Sequence, residues 1–193
     1  MTSQAKSRRL PEGLLDSCVA AFAEAGTLDL SLDQLSRHVG ISKRMLIHYF
    51  GSREAIEHRA MLRLEDNLRA HFAPESLPAG SSAETAVMAL WRRATDPASK
   101  GVLLLTMDVS RRAWNGSAAA RRFYREQQRL WAALLGRFVS DKAVVEEILQ
   151  VLQGAAVTYL ITGDAQPGKR SLKRVLTTWT ARVGQEHRKR HTR

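Results

Sequence analysis

Residues 31–50 read SLDQLSRHVGISKRMLIHYF, and this stretch decides the fold. Ser31 is a favourable N-cap, and Gln34 three places later completes an S-x-x-Q capping box, so a helix is expected to start at Leu32. Leu32, Leu35 and Val39 give it one apolar face at helical spacing. Gly40 ends it, because glycine accepts the left-handed conformation at little steric cost. Ile41 is placed to fill the angle between two helices, and Ser42 caps the next helix at once. The arrangement predicts a helix-turn-helix.

The second helix divides into two faces. At about 100° per residue, Met45, Leu46 and Tyr49 fall on a packing side with Phe50 at its edge. Lys43, Arg44, Ile47 and His48 fall on the other, an outward face of two cations, an imidazole and one aliphatic chain. Such a face suits the DNA major groove, and the free N–H groups at the helix start suit a phosphate. An ordinary helical hairpin with a solvated basic face has the same pattern, and periodicity alone leaves both open.

A longer pattern bears on that choice. LLDSCVAAFAEAG, SLDQLSRHVGIS, KRMLIHYF and GSREAI follow one another at the order and spacing of the DNA-binding domain of the TetR family of transcriptional regulators, which residues 14–56 resemble. The resemblance implies that a fourth helix, starting at Arg53, connects this domain to a C-terminal domain that binds ligand and dimerises. It also implies that Arg53 holds a phosphate. The sequence departs from the family pattern at Thr27, Arg44 and Ile47; a tyrosine that often reaches the DNA backbone is replaced by Ile47.

Composition agrees with a globular chain that has a polyanionic partner. The 193 residues carry a net charge of +11 and 44% hydrophobic side chains, with pI near 10.6. The single cysteine, Cys18, excludes an intramolecular disulfide and lies on an apolar helix face, as a buried structural thiol would. The first residues lack a signal peptide's apolar core, and no apolar run is read as long enough to span a bilayer. A cytoplasmic protein with no membrane partner is expected.

Along the chain, residues 1–10 form a basic arm with Lys6, Arg8 and Arg9. Residues 11–51 are the expected helix-turn-helix domain, with Pro11 in the first turn of a helix that carries Leu15, Cys18, Val19 and Phe22. Residues 52–73 are a connecting helix and residues 74–82, PESLPAGSS, a linker rich in turn formers. Residues 83–186 form the C-terminal domain, with helices expected over about 83–95, 101–114, 117–138, 142–161 and 171–185. Residues 187–193 are a basic tail. Throughout, the periodicity is helical, so the fold class is all-α.

Trp91, Met107, Trp114, Phe123, Gln127, Trp131 and Tyr159 are the candidate walls of an effector cavity, Gln127 being polar on an otherwise apolar stripe. Each also fits plain core. Leu152, Ala155, Ala156, Val175, Trp179 and Val183 are the candidate dimer interface. Two copies are expected because one short recognition helix reads too few bases for specific binding.

The enzyme reading has little support. There is no H-E-x-x-H, no phosphate-binding glycine loop and no zinc-type cysteine–histidine spacing, so neither catalytic residues nor a metal or cofactor is expected. A non-specific architectural DNA binder would explain the charge but not the large apolar C-terminal segment. The reading that covers the whole chain is a homodimeric regulator of transcription. It is expected to act as a repressor, with Lys43, Tyr49 and Arg53 at phosphates, Arg44, Ile47 and His48 at base edges of a double-stranded operator, and Ser42 also among the DNA-binding residues. An unidentified small molecule would release it.

Overall fold

The computed structural model describes residues 11–73, 75 and 77–191, with 71–72 and 185–191 given by backbone alone. The basic arm therefore lies outside the described residues. Among those described run α1 (Leu14–Ala25), α2 (Leu32–Val39), α3 (Lys43–Phe50), α4 (Arg53–Phe72), α5 (Ala83–Ala94), α6 (Lys100–Trp114), α7 (Ala118–Leu135), α8 (Lys142–Thr162) and α9 (Gln166–His191), with no strand.

Helix α2 opens with the capping box. The Ser31 hydroxyl oxygen accepts from Gln34 N–H at 3.2 Å, and the Gln34 side-chain oxygen accepts from Ser31 N–H at 2.8 Å. Gly40 follows at φ 72°, in the left-handed region. The Ser36 hydroxyl donates to the Ile41 carbonyl at 2.6 Å and pins the turn from the side. Leu35, Leu46 and Phe50 are buried with Cys18, Phe22 and Ile56 in a core that also takes Leu105 and Val109 from α6. Full burial of such a side chain contributes about 1.5–3 kcal/mol. That packing holds α2 and α3, which at 8 residues each are too short to persist alone. A second core joins Val87 and Trp91 of α5 to Ile148 of α8 and to Leu172 and Leu176 of α9.

Two features fasten the helix-turn-helix to the rest of the molecule. First, α1 and α6 meet at backbone distance: a Cβ on Gly101 would lie 1.7 Å from the Ala23 carbonyl oxygen. Second, the loop between α1 and α2 is held by a network of charges. Leu28 N–H donates to Asp108 at 3.1 Å, and Asp29 accepts from Arg111 at 2.9 Å and from Arg112 at 2.7 Å. Arg112 also reaches buried Glu57 at 2.7 Å. From the other side Arg53 donates to the carbonyls of Leu30 at 2.8 Å and Leu28 at 2.9 Å, and pairs with Glu57 at 2.8 Å. The loop is thus clamped between α4 and α6.

Several elements differ from the sequence reading. Pro11 precedes α1 in a turn, and the helix starts at Leu14 after Gly13 at φ 76°. Helix α7 stops at Leu135, so Phe138 packs from the turn beyond it. Helix α9 begins at Gln166 rather than near 171, because Asp164 accepts the Gln166 N–H at 2.8 Å and Pro167 suits a first turn. It needs Gly168 there, since a Cβ would stand 2.4 Å from the Trp91 ring. It also continues to His191, so residues 187–191 of the expected tail are helical. Finally, α8 has 21 residues and a window of mean hydropathy 1.4, long and apolar enough to cross a membrane by length and composition. The reason is visible in its surroundings: one side packs into the second core, and the other keeps Val157 and Ile161 exposed, so apolar residues occupy both sides.

Gly101→Ala should force α6 away from α1 and lower stability by about 1–3 kcal/mol, the usual cost of overpacking; urea unfolding with an unchanged midpoint would refute the close approach. The charge network carries a pH signature. Burial alone would raise the Asp108 carboxyl, but hydrogen bonds from Arg111 and Leu28 N–H, with the charges of Arg112 and Arg111, hold it below the usual carboxylate range. A carboxyl lowered on folding stabilises above its unfolded pKa, and that stability is lost as pH falls through the folded value. Asp108→Asn should therefore destabilise by about 1–3 kcal/mol at pH 7, and the gap to wild type should shrink below about pH 4. A gap of equal size at pH 7 and pH 3 would exclude the charge as its source.

Candidate functional site

Helix α3 presents the outward face. Leu46 and Phe50 are buried and Tyr49 is half-buried, while Ser42, Lys43, Arg44, Ile47 and His48 are exposed. Met45, expected among the packing residues, is 38% exposed. It stands about 100° round the helix from Leu46, beyond the reach of the core. The exposed surface is thus broader than the sequence suggested and gains a flexible apolar side chain beside His48. With side chains an α-helix is about 10–12 Å across, which fits the ~12 Å width of the major groove.

The start of α3 is poised for an anion. Ser42 oxygen accepts from Met45 N–H at 3.3 Å, which leaves its own O–H to donate outward. The N–H groups of Lys43 and Arg44 have no intrahelical acceptor. Lys43 pairs with Asp33 at 2.9 Å, but both side chains are exposed. Such pairs contribute only about 0–1 kcal/mol, so Lys43 can exchange Asp33 for a phosphate at little cost. The rings of His48 and Tyr49 meet edge to face, 5.3 Å between centroids. Arg53 is different: its donors serve the Leu28 and Leu30 carbonyls and Glu57. In this structure it is a brace behind the helix-turn-helix rather than a side chain reaching outward from it.

Behind this domain lies a cavity of about 500 Å³, bounded by side chains of α4, α5, α6, α7 and α8 and lying between the two cores. Met107, Phe123, Gln127 and Trp131 line it. The remaining expected wall residues do not. Trp91 is buried in the second core, its N–H donating to the Ala165 carbonyl at 3.1 Å. Tyr159 donates to the Thr95 carbonyl at 2.7 Å. Trp114 is 90% exposed at the end of α6.

The polar part of the wall comes mainly from residues that the sequence did not single out. Glu65, buried on α4, accepts from the Trp131 indole N–H at 2.9 Å. Its carboxyl is raised by burial, against the opposing pull of Trp131 and Arg69. Arg69 lies 3.6 Å from Glu65 and donates to Asp66 and to the Gln127 side-chain oxygen. Across the cavity Tyr124 donates to Gln153 at 3.0 Å. Glu65 and Arg69 look in sequence like an i,i+4 pair on a solvated helix face; only the covering by α7 makes them part of a wall.

The expected dimer residues divide as well. Ala156 and Val175 are buried, Ala155 packs into the second core, and Leu152 lines the cavity. Trp179 is half-buried against the second core, and Val183 is half-buried toward the end of α9. The exposed apolar side chains of α8 are instead Ile161, 79% exposed, and Val157, 41% exposed, which also borders the cavity.

Comparison with known proteins finds similar domains and folds. Residues 14–60 match the model for bacterial regulatory proteins of the tetR family. No curated protein matches the chain. Among solved structures, a candidate TetR-family transcriptional regulator from Rhodococcus sp. is similar at a TM-score of 0.71 and 15% identity, over 87% of this chain and 97% of that one. A transcriptional regulator from Rhodococcus sp. Rha1 gives 0.70 at 17% identity, over 89% and 96%. A TetR-family transcriptional regulator from Streptomyces coelicolor gives 0.69 at 15% identity, over 85% and 77%. The helix-turn-helix domain is thus similar to that of the tetR family of bacterial regulatory proteins over residues 14–60, and the chain as a whole shares the fold of these solved regulators.

Proposed function

We propose that the protein is a homodimeric repressor that reads a pseudo-palindromic operator with its two α3 helices and lets go when a small molecule fills the cavity. Ser42, Lys43 and Tyr49 contact phosphates. Arg44 pairs with guanine, Ile47 meets a thymine methyl, and His48 and Met45 border the same base edges. Arg53 acts indirectly, by holding the loop in front of α2. The observation that carries the release step is shared ownership: α4 and α6 line the cavity, and the same helices clamp the α1–α2 loop through Glu57, Arg53, Asp108 and Arg112. A ligand that moves α6 against α4 therefore acts on the helix-turn-helix without touching it. It can weaken DNA binding only by its own preference between the two arrangements, and about 1–3 kcal/mol already corresponds to roughly 5–150-fold release.

The partner surface follows from α8 and α9. Ala155, Ala156 and Val175 are used inside one subunit, so the contact between copies falls to the outward side of α8, where Val157 and Ile161 stand exposed. An exposed apolar stripe of this kind, two residues four apart on one helix, suits a self-complementary two-fold contact.

Footprinting on DNA that flanks the protein's own gene should reveal one protected pseudo-palindrome; uniform protection, or none, would remove the sequence-specific regulator. On that site Arg44→Ala should cost about 1–3 kcal/mol and relax preference at one base pair of each half-site. Lys43→Ala should weaken all sequences alike and make the slope of log K against log salt shallower by about one for each phosphate it no longer neutralises. In light scattering, Val157→Arg with Ile161→Arg should convert a dimer into a folded monomer with no operator affinity. A double variant that stays dimeric would move the interface elsewhere.

A further inference from the structure

Gln127 is only 5% exposed, and its amide is oriented by Arg69. A guanidinium can only donate, so the Gln127 oxygen must face Arg69. The Nε2 group, the other branch of the same amide, is then buried and without an acceptor among the described residues. Leaving such a donor unpaired is unfavourable, and Gln127 is a wall of the cavity. Charge in this part of the wall is already matched: Glu65 has Arg69 and the Trp131 N–H, and Arg69 also has Asp66. The remaining lining is mostly aliphatic and aromatic, including Leu68, Leu103, Met107 and Phe123, and the cationic Arg93 is exposed.

We infer that the cavity takes an uncharged, largely apolar molecule carrying a carbonyl-type oxygen, and that Gln127 Nε2–H donates to that oxygen. This rests on the cavity being the effector site. An ionised ligand is disfavoured at the buried end, because its charge would be desolvated with no free counter-charge to meet it. A pure hydrocarbon fills the volume, about 500 Å³, but leaves the amide unpaired. At the Gln127 end the site therefore selects by one hydrogen bond beside aliphatic and aromatic walls, the pattern in which an analogue lacking the acceptor is rejected most strongly.

The test uses the full-length protein and two ketones, 2-dodecanone and 4-phenylcyclohexanone. Each is compared by calorimetry and thermal shift with its hydrocarbon counterpart (1-dodecene, phenylcyclohexane) and a carboxylate (dodecanoate, 4-phenylbenzoate). At least one ketone should bind tenfold or more tightly than both of its counterparts. Gln127→Leu should abolish the advantage over the hydrocarbon while hydrocarbon binding persists, and the variant without ligand should unfold at the wild-type temperature or above it. Gln127→Glu, which keeps the acceptor for Arg69 but has no donor when ionised, should lose the ketone as well. The inference is overturned if the carboxylates bind best, if no probe binds, or if the ketone advantage survives in Gln127→Leu. A ketone that binds through Gln127 yet leaves operator affinity unchanged supports the ligand assignment and overturns only the release reading.

Discussion

The burial of Leu46 and Phe50 is the contact on which the rest depends. An 8-residue helix has too few internal hydrogen bonds to offset its nucleation cost, so α3 exists because its inner face is held by α1, α2 and α4. The same packing sets its rotation. With Leu46 wholly buried, geometry leaves Arg44, Ile47 and His48 no direction but outward. The exposed polar face and the core packing are therefore two sides of one helix, and the first follows from the second.

Helix α6 extends that constraint into the body of the protein. Its first turn touches α1 with no room for a side chain, its middle lines the cavity, and its last turns carry Asp108, Arg111 and Arg112 to the α1–α2 loop. One rigid element thus joins a ligand-sized space to the loop in front of the helix-turn-helix. Packed helices of this kind shift as units, because a close-packed interior does not absorb a displacement gradually. Arg53 and Glu57 on α4 complete the clamp, which gives α4 and α6 opposing holds on the same loop.

The C-terminal half solves a different problem. Helices α8 and α9 bury small residues within the subunit, where Ala155 and Gly168 let the helices approach, and leave larger apolar residues outside. High hydropathy around both sides of α8 reflects a helix that serves a core on one side and keeps apolar side chains exposed on the other. Its membrane-like composition has the same origin.

The local signals proved legible where the interaction is local. The capping box at Ser31, the stop at Gly40 and the cap at Ser42 involve residues no more than a few places apart, and all stand in the structure as the spacing implied. Where partners come from distant parts of the chain, the sequence was silent or misleading. Nothing near Arg53 shows that carbonyls some two dozen residues earlier take its donors, nor does the spacing of Glu65 and Arg69 reveal that Trp131 and Gln127 cover them. The outward exposure of Met45 and the inward use of Ala155 and Ala156 were likewise set by which neighbours arrive. Periodicity states that a helix has a face; only the assembled chain decides what that face meets, because burial is a property of pairs of elements and not of either one alone.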